Sequence, residues 1–295
     1  MRMGSSADRT ACRPPDLRPG TNNAEVAQDL RCPMCQQESA APAVTVGEGD
    51  YCACPNCGGL YLDPYPARQT NTVFEGATGA GEQQALEAAR RGYFLRHLIR
   101  IEKHIGRTVQ NWRLMEIGCG SGVLLQTAIA RGWQADALEL SPELAAIARE
   151  TNPTSQITVS DVLDHTTGAG DYDAVMALDV LEHVLDPVLM LRNCCGLLKP
   201  GGLLLLQTPN TSSLRFRTQG AAWEMMDPDQ HINLFSPRGL VALLGRSCFE
   251  IVSLHTVSGS GMETGAARVV AAVKQWTLDR GKLGNALHVL ARRRA

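Results

Sequence analysis

The stretch Leu114-Met-Glu-Ile-Gly-Cys-Gly-Ser-Gly-Val-Leu124 decides the fold. Leu114 to Ile117 is an apolar run of buried-strand length, broken only by Glu116. Three alternating glycines follow, Gly118, Gly120 and Gly122, and a helical pattern then runs from Val123 to Arg131. Glycines at a strand-to-helix turn let backbone approach a ligand closely, and the helix N-terminus beyond them offers unpaired N–H groups. The dinucleotide fingerprint G-x-G-x-x-G does not fit, because Val123 stands where its third glycine belongs. The acid at 116, two residues before the first glycine, also points away from it.

Downstream, short apolar runs alternate with helical patterns, the mark of a parallel sheet built from βαβ units. Ala135 to Ser141 reads as a second strand ending near Glu139, where an acid can accept hydrogen bonds from both hydroxyls of a ribose. Ile157 to Val162 reads as a third strand ending in Asp161, placed to bind an adenine amino group, and Tyr172 to Asp179 as a fourth. Leu198-Lys-Pro-Gly-Gly202 reads as a helix-ending turn that feeds a fifth strand, Leu203 to Gln207. Phe249 to Val257 reads as a sixth strand, residues 266 to 280 as helical, and Ala286 to Ala291 as a last antiparallel strand. Acids in order at strand C-termini matter because open α/β sheets bind ligands along that edge. Upstream, Phe94, Leu98, Ile101 and Ile105 recur at helical spacing and predict one helix from about Glu82 to Ile105, with Leu86 two turns earlier.

The combination of Glu-Ile-Gly-Cys-Gly-Ser-Gly, the acid at 139, Asp161-Val162, Leu181-Glu-His-Val184 with Asp186-Pro187, and Lys199-Pro-Gly-Gly202 resembles class I S-adenosylmethionine-dependent methyltransferases. The likeness is to the group that includes the ubiquinone-pathway O-methyltransferases, and it covers about residues 82 to 257. It implies a Rossmann-like doubly wound α/β sheet, mostly parallel with a final antiparallel strand. It also implies that Glu116, Gly118 and Gly120, at the turn that Gly122 completes, hold the methionine end of the cofactor. Glu139 would then hold the ribose, Asp161 and Val162 the adenine, and Leu178 would contribute backbone.

Ahead of the sheet, Cys32-Pro-Met-Cys35 and Cys54-Pro-Asn-Cys57 are separated by eighteen residues, a close match to four-cysteine zinc spacing. Four thiolates at tetrahedral geometry supply folding energy that so short a segment lacks, and they leave no open position for catalysis. The expectation is therefore a structural zinc ribbon, resembling the one found in front of some of these enzymes. Cys119 reads simply as a small residue of the cofactor turn, and Cys12, Cys52, Cys194, Cys195 and Cys248 carry no assigned role.

If the methyl acceptor is a hydroxyl, a base must take its proton, and imidazole suits neutral pH. Two histidines are candidates. His183 follows the fourth strand beside the cofactor edge, and His231 sits in the long connection after the fifth. Trp223 and Met225 are candidates to line the acceptor pocket, while Ser236-Pro237 reads independently as a helix start. In the ubiquinone-pathway group the positions matching Asp179, Glu182 and His183 are linked to a divalent metal, so a second metal at those three residues is also an expectation. Asp179 stands there in place of a longer Glu.

The 295 residues carry a net charge of -2 and only 5% aromatics, which argues against nucleic acid as the main partner. A 44% hydrophobic share excludes wholesale disorder. The N-terminus lacks an apolar signal core, and no apolar run is long enough to span a membrane, so the expected setting is a reducing cytoplasm. The expected layout is a flexible tail at 1–28, the zinc ribbon at 29–68, a linker and leading helix at 69–108, and the S-adenosylmethionine-binding domain at 109–295. The expected activity is methylation, at oxygen, of a small-molecule or glycan-type acceptor. The competing readings are an RNA base methyltransferase that grips its substrate with the ribbon, and a non-catalytic scaffold.

Overall fold

The computed structural model describes residues 31–38, 42–46, 49–63, 65–66, 80–106, 111–165, 170–258, 279 and 281–295. The tail, most of the linker and all but residue 279 of the helix expected at 266–280 lie outside the described residues.

The large sheet has seven strands. In chain order they are β4 (Arg113–Ile117), β5 (Gln134–Glu139), β6 (Ile157–Val159), β7 (Tyr172–Leu178), β8 (Leu198–Pro209), β10 (Phe249–Val257) and β11 (Ala286–Arg293). Their spatial order is β10-β11-β8-β7-β4-β5-β6. β4 pairs in parallel with β5 and β7, β5 with β6, and β7 with β8, whereas β11 lies antiparallel between β8 and β10. The strand order reverses beside β4, so the glycine turn leaves the sheet at its topological switch point.

Period-two burial fixes the two faces. Ala174, Met176, Leu203 and Leu205 join a core with α2 (Arg91–Ile105), α3 (Val123–Ile129) and α4 (Pro142–Thr151). Val175, Ala177, Leu204 and Leu206 join the other, with α5 (Pro187–Leu197) and α6 (Pro237–Gly245). Three of these helices start alike. Ser141, Asp186 and Ser236 each accept the N–H three residues on, with Pro142, Pro187 and Pro237 in the first turn.

Three expectations need correction. The leading helix is two helices, α1 (Ala80–Ala89) and α2, broken at Arg90, whose side chain is held by Asp179. Leu198 to Gly202 does not close a helix as a turn: β8 begins at Leu198, and Gly201 at φ +78° absorbs an irregularity in its pairing with β7. Cys195 and Cys248 form a disulfide that ties α5 to the entry of β10, a pairing their separation of 53 residues hid.

The ribbon is fused to this sheet. Strands β1 (Pro42–Val46), β2 (Gly49–Ala53) and β3 (Leu60–Asp63) form an antiparallel meander. Its fourth strand, β9 (Asn233–Leu234), comes from the connection after β8. Cys32, Met34, Cys54 and Cys57 share one buried cluster with Phe235, Leu240 and the sheet residues Leu204 and Leu206. Among the described residues, no helix is long and apolar enough to cross a membrane.

Candidate active site

The glycine turn needs its glycines. Gly118, Gly120 and Gly122 hold φ of +71°, +54° and +83°, a region L side chains rarely adopt. Gly122 has a second reason: a Cβ there would lie 2.4 Å from Asn152 Nδ2, so it serves the packing of α4 behind the turn.

Along the C-terminal edge the structure brings together the expected cofactor residues. Glu116 is the penultimate residue of β4 and pairs with Ala137, two residues before Glu139 at the end of β5. Glu139 accepts the Gly120 N–H at 2.8 Å and the Ser141 N–H at 2.9 Å. Burial raises its pKa, and those two N–H groups oppose the rise. Glu116 is buried and its Oε2 has no hydrogen-bond partner. Burial first, then the charges of Glu87 and Glu139, push its pKa well up. Asp161 and Val162 lie in the turn after β6, where Asp161 accepts the Leu163 N–H at 2.8 Å, and Leu178 ends β7. A buried carboxylate oxygen without a donor beside a glycine cradle is an arrangement that a cationic or hydroxyl-bearing ligand satisfies.

Two residues of the leading helices also enter this edge, and the sequence reading missed both. Glu87 of α1 is buried and accepts the Ser121 N–H at 3.1 Å and the Ser121 hydroxyl at 2.6 Å. Arg90 pairs with Asp179 at 3.1 Å. Asp179 itself holds φ +58° without being glycine, a strained conformation of the kind that clusters at active sites. A run of Glu, Gln and Ala over α1 looks like any solvated helix, so the sequence held no signal for Glu87.

Beside this edge lies a second cluster. His183 Nδ1 donates to the Gln230 carbonyl at 2.7 Å, and His231 Nδ1 donates to the Met225 carbonyl at 2.8 Å. A carbonyl can only accept, so Nδ1 carries a proton in both rings, and a neutral ring then leaves Nε2 as an acceptor. Their centroids are 4.9 Å apart. Burial lowers the pKa of His183, which keeps it neutral. Glu182 accepts the Thr208 hydroxyl at 3.0 Å, and burial, then the charge of Asp179, raises its pKa. Donor atoms of Glu182, His183 and His231 lie within 4.8 Å of one another, a set that could hold a metal ion. Of the expected set of Asp179, Glu182 and His183, the last two keep donor atoms in reach of one another and of His231, while the Asp179 carboxylate accepts from Arg90 and Gln207. Trp223 is buried with Met226 against Tyr51, Leu60 and Leu234, while Met225 only packs on that cluster, so Trp223 joins the seam with the ribbon.

That seam positions the histidine segment. Tyr51 Oη donates to the His231 carbonyl at 2.6 Å, and Tyr65 Oη donates to the Leu185 carbonyl at 2.7 Å. Asn233 donates to the Val184 carbonyl at 2.9 Å, and the Glu182 carbonyl accepts the N–H groups of Ile232 and Asn233. In the ribbon itself Cys32 Sγ and Cys57 Sγ lie 3.7 Å apart and Cys35 Sγ and Cys54 Sγ 3.5 Å apart. Tetrahedral Zn–S bonds of about 2.3 Å require sulfur pairs about 3.8 Å apart, so the four fit a zinc ribbon.

A seven-stranded sheet with its last strand antiparallel, a glycine turn at the switch point and paired acids on the next strand ends define a class I methyltransferase fold. Residues 86–254 match the methyltransferase domain family, and the chain belongs to that family. It is similar to the ubiquinone biosynthesis O-methyltransferase of Xanthomonas axonopodis pv. citri (strain 306), 39% identical over 109 residues, which cover 35% of this chain and 46% of that protein. The chain thus spans about half the length of the curated relatives it matches. Two of the solved structures that share its fold illustrate the likeness. One is an S-adenosylmethionine-dependent methyltransferase from Mesorhizobium loti, with TM-score 0.52, 20% identity, and coverage of 70% of this chain and 100% of that one. The other is a methyltransferase of the same description from Archaeoglobus fulgidus, with TM-score 0.50, 18% identity, and coverage of 69% and 94%.

Proposed function

We propose that this chain transfers a methyl group from S-adenosylmethionine to a hydroxyl of a small-molecule or glycan-type acceptor. The observation that carries the reading is the edge itself: Glu116 with an unpartnered buried Oε2, Glu139 at the next strand end, and a left-handed glycine turn between them. When bound, the cofactor supplies an electrophilic methyl on a sulfonium. The chain's own share is to hold donor and acceptor in line in a dry cleft, worth about 7–11 kcal/mol at best. Glu116 would hold the methionine end, Glu139 the ribose hydroxyls, and Asp161 with Val162 the adenine. Oxygen as the acceptor atom is supported by the relatives' description as O-methyltransferases.

The acceptor's hydroxyl proton passes to a free Nε2 of the His183–His231 pair, each ring held in its tautomer by a backbone carbonyl. Asp179 is held by Arg90 and Gln207 and takes no part in that transfer. A second reading is favoured by the clustered donors of Glu182, His183 and His231, which would take a divalent cation that polarises the acceptor oxygen. In either reading the four cysteines bind structural zinc.

Methyl-donor turnover against phenols, sugars, carboxylates and RNA tests the acceptor class, and turnover with RNA alone would overturn the small-molecule reading. Full activity in both His183→Ala and His231→Ala would reject a histidine base. Metal analysis of the purified chain separates the readings: one zinc per chain supports the base, and a second divalent ion lost in Glu182→Gln supports the cation.

A further inference from the structure

Glu87 lies 29 residues before Glu116 in sequence yet reaches the same glycine turn. Its carboxylate accepts both the backbone N–H and the hydroxyl of Ser121, at the foot of α3. It also lies directly over Gly120: a Cβ at that position would come within 2.1 Å of Glu87 Oε1. Gly120 thus gives way to an acid from α1 as well as turning the chain. The Glu87 charge acts on both Glu116 and Glu139, raising each. Glu87 Oε1 lies over Gly120 and Glu139 accepts the Gly120 N–H, so two carboxylates meet at that glycine, while Glu116, buried at 6% exposure, has an Oε2 without a donor. A buried carboxylate oxygen without a donor is costly, and a cationic ligand group there would meet that oxygen and offset the repulsion from the neighbouring acids. Of the groups on S-adenosylmethionine, the methionine α-ammonium is the one with three N–H donors to give.

We propose that Glu87 is a cofactor-contacting residue that, with Glu116, binds the α-ammonium of S-adenosylmethionine and closes α1 over the methionine end. This rests on the cofactor reading above and adds to it a residue outside the sheet and its turns. Ser121 fixes the Glu87 carboxylate from below through its hydroxyl and N–H, so the acid meets the ligand already oriented.

The test is calorimetric titration of the full, zinc-loaded chain with three ligands. S-adenosylmethionine and S-adenosylhomocysteine carry the ammonium, whereas 5′-methylthioadenosine keeps the nucleoside and lacks the amino-acid end. Glu87→Gln should weaken the first two by the same factor, on the order of ten- to hundredfold for a lost charge-assisted contact, and leave 5′-methylthioadenosine unchanged. Equal weakening of all three would make Glu87 a support of the turn and overturn the proposal. Unchanged or tighter S-adenosylmethionine binding would overturn it too, the latter marking Glu87 as a plug the cofactor must expel. A loss larger for S-adenosylmethionine than for S-adenosylhomocysteine would assign Glu87 to the sulfonium instead. A wild-type chain that binds none of the three defeats the cofactor reading itself, which a Glu87 effect alone cannot do. If Glu87→Gln melts early, Ser121→Ala carries the test. It should weaken the two amino-acid ligands severalfold and spare the nucleoside, and no change there overturns the proposal.

Discussion

Tyr51→Phe removes one oxygen from the seam between the ribbon and the histidine segment. Tyr51 is fully buried, and burial raises its pKa, so the hydroxyl is a neutral donor at any working pH. It donates to the His231 carbonyl at 2.6 Å across 180 residues of chain. Deleting it leaves a carbonyl in a dry seam without that donor, which costs about 1–3 kcal/mol. For a chain of this size each kcal/mol lowers Tm by roughly 2–4 °C. The expected result is a Tm lower by several degrees in the zinc-loaded protein. S-adenosylmethionine affinity should stay within twofold, because Tyr51 packs among Leu60, Trp223, Ile232 and Leu234 and bonds to neither the glycine turn nor Glu139. The ring resonances of His231 should shift in ¹⁵N-edited spectra, since its backbone has lost an anchor while its bond to the Met225 carbonyl remains. A variant with the wild-type Tm and an unmoved His231 resonance would refute the view that the ribbon positions this segment. Loss of cofactor binding would refute the separation of the two halves of the site.

Acid sensitivity follows from His97 and His288, both buried and both held down to about 3, chiefly by burial. Between that value and an unfolded pKa near 6.5 the unfolded chain binds more protons, so stability falls as pH drops; at pH 5 each imidazole contributes about 2 kcal/mol of the loss. Denaturant unfolding at pH 7 and pH 5 checks this, and the double variant His97→Gln/His288→Gln should flatten the slope, whereas an unchanged slope would contradict it. Chelation of the ribbon metal should lower amide protection over residues 230–236 while β4 stays protected, because β3 pairs with β9 and Tyr51 holds the His231 carbonyl, and these contacts keep Ile232 and Asn233 aligned on the Glu182 carbonyl. Hydrogen exchange reads both segments in one experiment, and protection of 230–236 that survives metal loss would sever the ribbon from the site.

What the sequence made legible was local. The glycine turn, the strand ends at Glu116 and Glu139, the Ser236-Pro237 cap and the strand from Phe249 to Val257 all write their signals within a few residues, and the structure has each of them. The paired Cys-x-x-Cys turns belong with these, since each needs only a knuckle. What stayed hidden depends on distant partners. β9 is two residues long and has no pattern of its own; it exists because β3 offers it an edge. Arg90, where the leading helix breaks, bonds to Asp179, which lies 89 residues away. Glu87 and the Cys195–Cys248 bond are equally non-local. Asp179 shows the limit most plainly: its place in the motif suggested a metal ligand, yet Arg90 and Gln207 claim its carboxylate.

The account rests on the acids at the strand ends holding one nucleoside cofactor. Its most direct test is a calorimetric titration of S-adenosylmethionine into the wild-type chain and into Glu139→Ala. The wild type should bind one equivalent. The variant, deprived of the acceptor for the ribose hydroxyls and of the carboxylate that receives the Gly120 and Ser141 N–H groups, should bind on the order of tenfold to a hundredfold more weakly. No heat from the wild type, or equal affinity in the variant, would contradict it.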